Sequence, residues 1–339
     1  MTGLLFPLFL IVSAGIFQGT FGLGMKKFHP LSWGSFWLVF SLIGMLVLPV
    51  STALILVPSV NKAVFSLPPG TLILSVFMGA CWGVGSVMFG KAVNYVGLSL
   101  TYGISMGLGA VVGSLMPLFV MEKLPGMVAV LTIITGTLVM AFGVVLISCA
   151  GMLRDKESEG KEIKEMKGKF KTGLIFAILN GLFTALLNIG YAKAMPSAQA
   201  AIEMGVLPRN ASIVPWVIVL FGGMAVNVAY AVYLLIKKGA CREFIQKKNL
   251  PGFAWALATA VMWFAALMLY GQGAALMGKY GTVVGWTMFL ALSLVVSNIW
   301  GLKSGEWTGF RKPRLIMMAG NGILLLSWLI LGFANYLIE

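Results

Sequence analysis

Ten apolar stretches, each close to the roughly 20 residues a helix needs to cross the hydrocarbon core of a bilayer, govern what this chain can fold into. They lie at 4–25, 33–57, 71–90, 98–121 and 127–151, then at 172–194, 213–236, 252–277, 281–302 and 315–337. Lipid offers no water to a backbone N–H or C=O, so stretches of this kind must satisfy themselves as helices. Composition agrees: 59% of the 339 residues are hydrophobic, 10% are charged, and mean hydropathy is +0.97. A soluble core cannot absorb that much apolar surface. The first stretch has no basic n-region and leads directly into the second, so it reads as helix one rather than a cleaved leader.

The formal net charge of +14 does not indicate nucleic acid, because the basic residues sit in short clusters between apolar runs instead of forming one face. They report topology. Most of the 24 Lys and Arg fall in the odd-numbered loops, at Lys26 and Lys27, Lys91, Arg154 to Lys171, Lys237 to Lys248, and Lys303 to Arg314. The even loops keep Lys62, Lys123, Lys193, Arg209 and Lys279. Cytoplasmic loops are enriched in Lys and Arg, so both termini are expected outside the cell. Cys81, Cys149 and Cys241 have no metal-ligand spacing, and no metal site or disulfide is expected.

One charged segment, 152–171, mixes both signs and reads as a cytoplasmic linker between a first five-helix repeat at 1–151 and a second at 172–339. An internal repeat supports the division. Trp82, Gly90 and Gly97 recur at one common offset as Trp263, Gly271 and Gly278, with Thr101 matched to Thr282. An odd number of spans per half inverts the second half relative to the first, which is the architecture of secondary transporters with a mid-membrane site. The expected fold is an all-α polytopic membrane protein of ten transmembrane helices in two inverted five-helix repeats.

The stretch GACWGVGSVMFGKAVNYVGLSLTYGISMGLGAVVG, from Gly79 to Gly113, resembles the rhamnose-proton symporter family of the drug/metabolite transporter superfamily. Further pieces of the resemblance are MW at 262–263, Tyr270, Trp286, GVLP at 205–208, FGGMAVN at 221–227 and GLKSGEW at 301–307. It covers nearly the whole chain and implies a cation-coupled importer of a monosaccharide, L-rhamnose or a related 6-deoxy sugar, in a bacterial inner membrane with both termini periplasmic. A monomer in membrane lipid without a cofactor is expected. Two positions depart from the family pattern: SVMF at 86–89 is less polar, and Gln199 stands near where an acid is expected.

A sugar site needs hydrogen-bonding side chains for hydroxyls and an aromatic face for the C–H side of the ring. Polar residues within apolar spans are the candidates, since lipid penalises an unpaired polar group. The substrate-binding set is Gln18, Trp82, Tyr102, Asn188, Tyr270, Gln272 and Trp286, most of it on spans that the resemblance turns toward a cavity. Each has a plainer alternative: amides tie helices together and aromatic residues anchor at interfaces. Two rows of small residues on the fourth span, Gly103 with Gly107 and Gly109 with Gly113, are expected to pack within the chain.

Coupling is harder to place, because every acid falls in or beside a loop. The cation-coupling candidates are Glu203, in SAQAAIEMG read as a short external helix capped by Ser197, and Glu122. The coupling ion is expected to be a proton, with sodium or uncoupled carriage as alternatives. No GxSxG, HExxH or P-loop motif is present, so no enzyme is expected. A non-transporting membrane scaffold is the remaining class, and it would leave the mid-span amides without a purpose.

Overall fold

The computed structural model describes residues 2–96, 98–119, 125–158 and 170–337, whose regular structure is entirely helical. Among these residues, ten helical spans are long and apolar enough to cross a membrane: α1 (Leu5–Lys26), α2 (Trp33–Leu56), α3 (Pro69–Val93), α4 (Leu100–Leu118), α5 (Met127–Glu157), α6 (Phe170–Glu203), α7 (Pro208–Lys238), α8 (Lys247–Leu276), α9 (Gly281–Lys303) and α10 (Arg311–Tyr336). Each expected run coincides with one of them, and the last residues of the fourth run lie outside the described residues. Large apolar side chains stand exposed within the spans, among them Phe9 at 63%, Ile73 at 67% and Leu329 at 64%. Water would not tolerate such a surface, and lipid requires it.

Span ends differ from expectation where the chain keeps its hydrogen-bond ladder beyond the apolar run. Residues 152–158 of the charged segment continue the helix of α5, Phe170 and Lys171 open α6, and 159–169 lie outside the described residues. The separate external helix expected around Glu203 does not form. Pro196 removes one backbone donor inside α6, but the ladder continues around it. Ser197 Oγ donates back to Ala194 O at 2.7 Å rather than capping a new helix. The true stop is Gly205, at φ +89°: its N–H bonds Ile202 O at 2.9 Å and the Val206 N–H bonds Ala201 O at 3.1 Å. This is the left-handed helix terminus that glycine adopts without strain.

The chain forms two compact units. The first combines the described residues up to Val84 with Ile189–Leu276, and the second combines those of Gly85–Asn188 with those of Met277–Glu339. Within the first unit α1 packs along α8, and α2 packs on both α7 and α8. α3 reaches α7 so closely that a Cβ at Gly79 or Gly222 would enter the backbone of the opposite helix, at Val219 and Val76. Within the second unit α5 lies along α10, α4 packs on α5 and α9, and α9 packs on α10. Gly143 and Gly320 let α5 and α10 touch, each placing its carbonyl about 3 Å from where the other would carry a Cβ.

A polar clamp outside the spans fixes the start of α2. Ser32 caps that helix, and the Glu243 carboxylate, carried on a short 3-10 turn (Ala240–Ile245) between α7 and α8, accepts from the Ser32 N–H at 2.9 Å. Partial burial pushes the Glu243 carboxyl up, but hydrogen bonds from Ser35 and Ser32 and the charge of Lys248 outweigh it and hold it below its usual range. A carboxylate with a lowered folded pKa adds stability above its unfolded pKa and loses it as pH falls through the folded value. Glu243→Gln is therefore expected to lower the unfolding temperature of the detergent-solubilised protein at pH 7. The gap should close in scans taken progressively below pH 4, and a gap that is constant with pH would contradict the clamp.

Candidate functional site

The repeat places Trp82 and Trp263 as counterparts, and in the first unit they stack on one another, ring centroids 5.7 Å apart and planes within 10° of parallel. Trp82 sits near the middle of α3 and Trp263 near the middle of α8, so the pair is at mid-depth of both spans. Each indole rests on bare backbone. A Cβ at Gly223 of α7 would come within 2.7 Å of the Trp82 ring, and one at Gly44 of α2 within 3.4 Å of Trp263. Phe40 meets Trp263 edge-on at 5.4 Å, and Trp37 packs on Phe40 at 5.0 Å. The Trp37 Nε1–H donates to Asn227 Oδ1 at 2.9 Å, and Asn227 Nδ2 donates to Gly223 O at 2.8 Å. The glycine bed beneath Trp82 is thus pinned by a side-chain amide. Trp82 remains half-buried whereas Trp263 is buried.

Gln18 belongs to the same level. α1 runs antiparallel to α8, with Ile11 beside Gly273 and Gly24 beside Thr259. Interpolation sets Gln18 opposite Ala266, about one turn from both Trp263 and Tyr270. Its Oε1 is buried with no hydrogen-bond partner among the described residues. Tyr270 is fully buried, 6.0 Å from the rings of both Tyr191 and Trp216, which stack on each other at 4.3 Å. Tyr191 donates to Ser212 O at 3.2 Å, and the buried Trp216 Nε1–H has no partner among the described residues. Gln272 is half-buried, flanked by Gly271 against Trp216 and Tyr191 and by Gly273 against Ile11.

The remaining candidates fall in the second unit and are tied into helix packing. Asn188 is fully buried, and its Nδ2 donates to Gly113 O of α4 at 2.9 Å and to Thr282 O of α9 at 3.0 Å. Trp286 donates its Nε1–H to Gly109 O at 3.1 Å. Where glycine carries no side chain, the second lone pair of its helical carbonyl is open to a side-chain donor. The small-residue rows therefore do more than allow approach: Gly103 and Gly107 face Ser148 and Val144 of α5, while Gly109 and Gly113 meet Thr184 of α6 and Trp286 of α9. Tyr102 is half-buried and edge-on to Phe89 at 6.1 Å.

Among the described residues no group of three or more His, Cys, Asp or Glu is placed to hold a metal. Glu203 is exposed at the end of α6 with Gln199 Nε2 3.5 Å from its Oε1, and Glu122 lies outside the described residues. The sequence pairs Trp263 with Trp82 as a repeat marker, and only the structure brings them into contact. Trp216 carries no sequence signal that separates it from an interfacial anchor.

The family described as L-rhamnose-proton symport protein (RhaT) matches residues 1–335. The L-rhamnose-proton symporter of Cronobacter sakazakii is 26% identical over 339 residues, covering 97% of this chain and 96% of the relative. The L-rhamnose-proton symporters of Escherichia coli and Yersinia pestis are likewise 26% identical with the same coverage.

The contrast between satisfied and unsatisfied amides is measurable. Asn188→Leu should destabilise the protein by about 1–3 kcal/mol, because two helices lose a shared donor. Gln18→Leu should be neutral or stabilising, because it removes an unpaired buried oxygen. Thermal unfolding in detergent reads both, and equal losses would erase the distinction.

Proposed function

Because this chain belongs to the L-rhamnose-proton symport protein family, we propose that it imports L-rhamnose or a close 6-deoxy sugar together with a proton across a bacterial inner membrane. It is a carrier and not an enzyme, and the proton is a co-substrate, so no cofactor is required. The observation that carries the sugar reading is the stacked Trp82–Trp263 pair at mid-depth, with Gln18, whose buried oxygen has no partner among the described residues, at the same level of α1. The indole face of Trp82 takes the C–H and methyl side of the sugar, and the Gln18 amide takes a hydroxyl. A hydroxyl satisfies the orphan acceptor, whereas an analogue lacking it leaves that acceptor unpaired, and this is a strong basis for selectivity. Gln272 completes the proposed substrate set within the first unit, and Tyr102 is the candidate that the second unit offers. Tyr270, buried among aromatic rings, shapes the first unit beside it, while Asn188 and Trp286 already give their N–H groups to backbone carbonyls of the second unit and serve helix packing there.

Two inverted five-helix halves, 1–151 and 172–339 joined by the charged segment 152–171, are the framework we propose for alternating access. The packing partners support it. Matching each helix to the one five places later exchanges α4–α5 with α9–α10 and α2–α8 with α7–α3, and it pairs α2 with α7, α4 with α9 and α5 with α10. α1–α8 corresponds to α6–α3, where Gly190 approaches Met78 and the Ser75 carbonyl. In an inverted repeat, counterpart residues beside the two-fold axis touch, and the contact of Trp82 with Trp263 supports this reading. This organisation and the sequence resemblance support placement in the drug/metabolite transporter superfamily, as a monomer with both termini periplasmic by its loop charges.

Proteoliposomes separate the coupling schemes. An inward proton gradient should drive L-rhamnose accumulation that an inward sodium gradient does not, and accumulation that follows sodium, or that occurs equally without either gradient, would contradict proton symport. Glu203→Gln and Glu122→Gln belong in the same assay. The coupling acid is the one whose amide variant still exchanges internal for external sugar but loses gradient-driven accumulation.

A further inference from the structure

At one end of the second unit, where α9 turns into α10, a recess of about 420 Å³ is lined by Trp307, Phe310, Arg311, Arg314, Leu315 and Met318. Arg311 opens the 26-residue α10, so the recess sits at a membrane surface rather than within the lipid core. Arg311 and Arg314 are exposed and three residues apart, which sets two guanidinium groups on one side of the first turn. Leu315 and Met318 follow at 58% and 49% exposure, pointing the apolar side of the recess toward the hydrocarbon. No acidic side chain is among the lining residues. The nearest carboxylate in the same loop, Glu306, already accepts from Ser304 Oγ at 3.2 Å and faces Arg154 at 3.7 Å.

The floor is firm. Trp307 is 6% exposed and packs with Ala150 and Met317, and the Arg154 guanidinium lies 4.8 Å from its ring centre. Phe310, at the helix N-cap, supplies no side-chain acceptor to the first-turn N–H groups, so the positive end of α10 adds to the two guanidinium charges. A soluble anion would use the arginines and gain nothing from Leu315 and Met318. A phospholipid uses both.

We propose that this recess binds the phosphate headgroup of an anionic phospholipid between Arg311 and Arg314, with an acyl chain laid along Leu315 and Met318. The site is independent of the solute carried. Native mass spectrometry of the full-length detergent-solubilised chain, titrated with phosphatidylglycerol, phosphatidylethanolamine or inorganic phosphate, tests it. The wild-type chain should retain phosphatidylglycerol over phosphatidylethanolamine by about fivefold or more, as expected of a basic interfacial site. Arg311→Gln with Arg314→Gln should cut phosphatidylglycerol retention by about tenfold. Lys237→Gln with Lys238→Gln, an exposed basic pair at the end of α7, should leave it unchanged. Equal retention of the two lipids by the wild-type chain overturns the proposal without reference to any variant. Displacement of the lipid by millimolar inorganic phosphate would reassign the recess to a free anion and overturn it too.

Discussion

Every polar group carried into lipid needs a partner inside the protein, because no water is there to replace it. That requirement sorts the polar side chains of this molecule into two kinds. Asn188, Trp286 and Ser327 give their hydrogens to the carbonyls of Gly113, Gly109 and Gly136, and Asn227 Oδ1 accepts from Trp37 Nε1–H, and in doing so they hold helices together. Gln18 and Trp216 instead keep buried polar atoms with no partner among the described residues. A fold tolerates such an atom at a loss of stability, and a binding site is a common reason to keep one.

The glycines link this sorting to the architecture. In the first unit Gly223 and Gly44 leave backbone under Trp82 and Trp263, so that two large rings fit face to face at mid-depth. In the second, Gly143 and Gly320 bring α5 and α10 together. With lipid outside as apolar as the helix surface, close packing and side-chain hydrogen bonds must supply the association that the hydrophobic effect supplies in water. The abundance of glycine, 42 residues, follows from that need.

Span number was legible because lipid thickness imposes a length on each apolar run, and the ten runs coincide with ten helices. The end of α6 was not legible. Pro196 and Ser197 resemble a stop and a cap, yet the helix continues to Glu203, since local signals of that kind are weak against a hydrogen-bond ladder already formed. Among the site candidates, residue type told that Asn188 and Gln18 are both mid-span amides. It could not tell that one donates to two helical carbonyls while the oxygen of the other has no partner, because that depends on which neighbouring residues are glycine. Trp263 was visible as the counterpart of Trp82, but contact between counterparts requires the three-dimensional arrangement of α3 and α8.

Equilibrium binding tests the central claim most directly. Titration calorimetry of L-rhamnose into purified protein carrying Trp82→Leu should give an affinity about tenfold weaker than wild type, the loss expected for one ring contact. The same titration on Asn188→Leu, in its folded fraction, should stay within about twofold. An unchanged affinity in folded Trp82→Leu would remove the indole pair from sugar recognition and contradict the site as drawn.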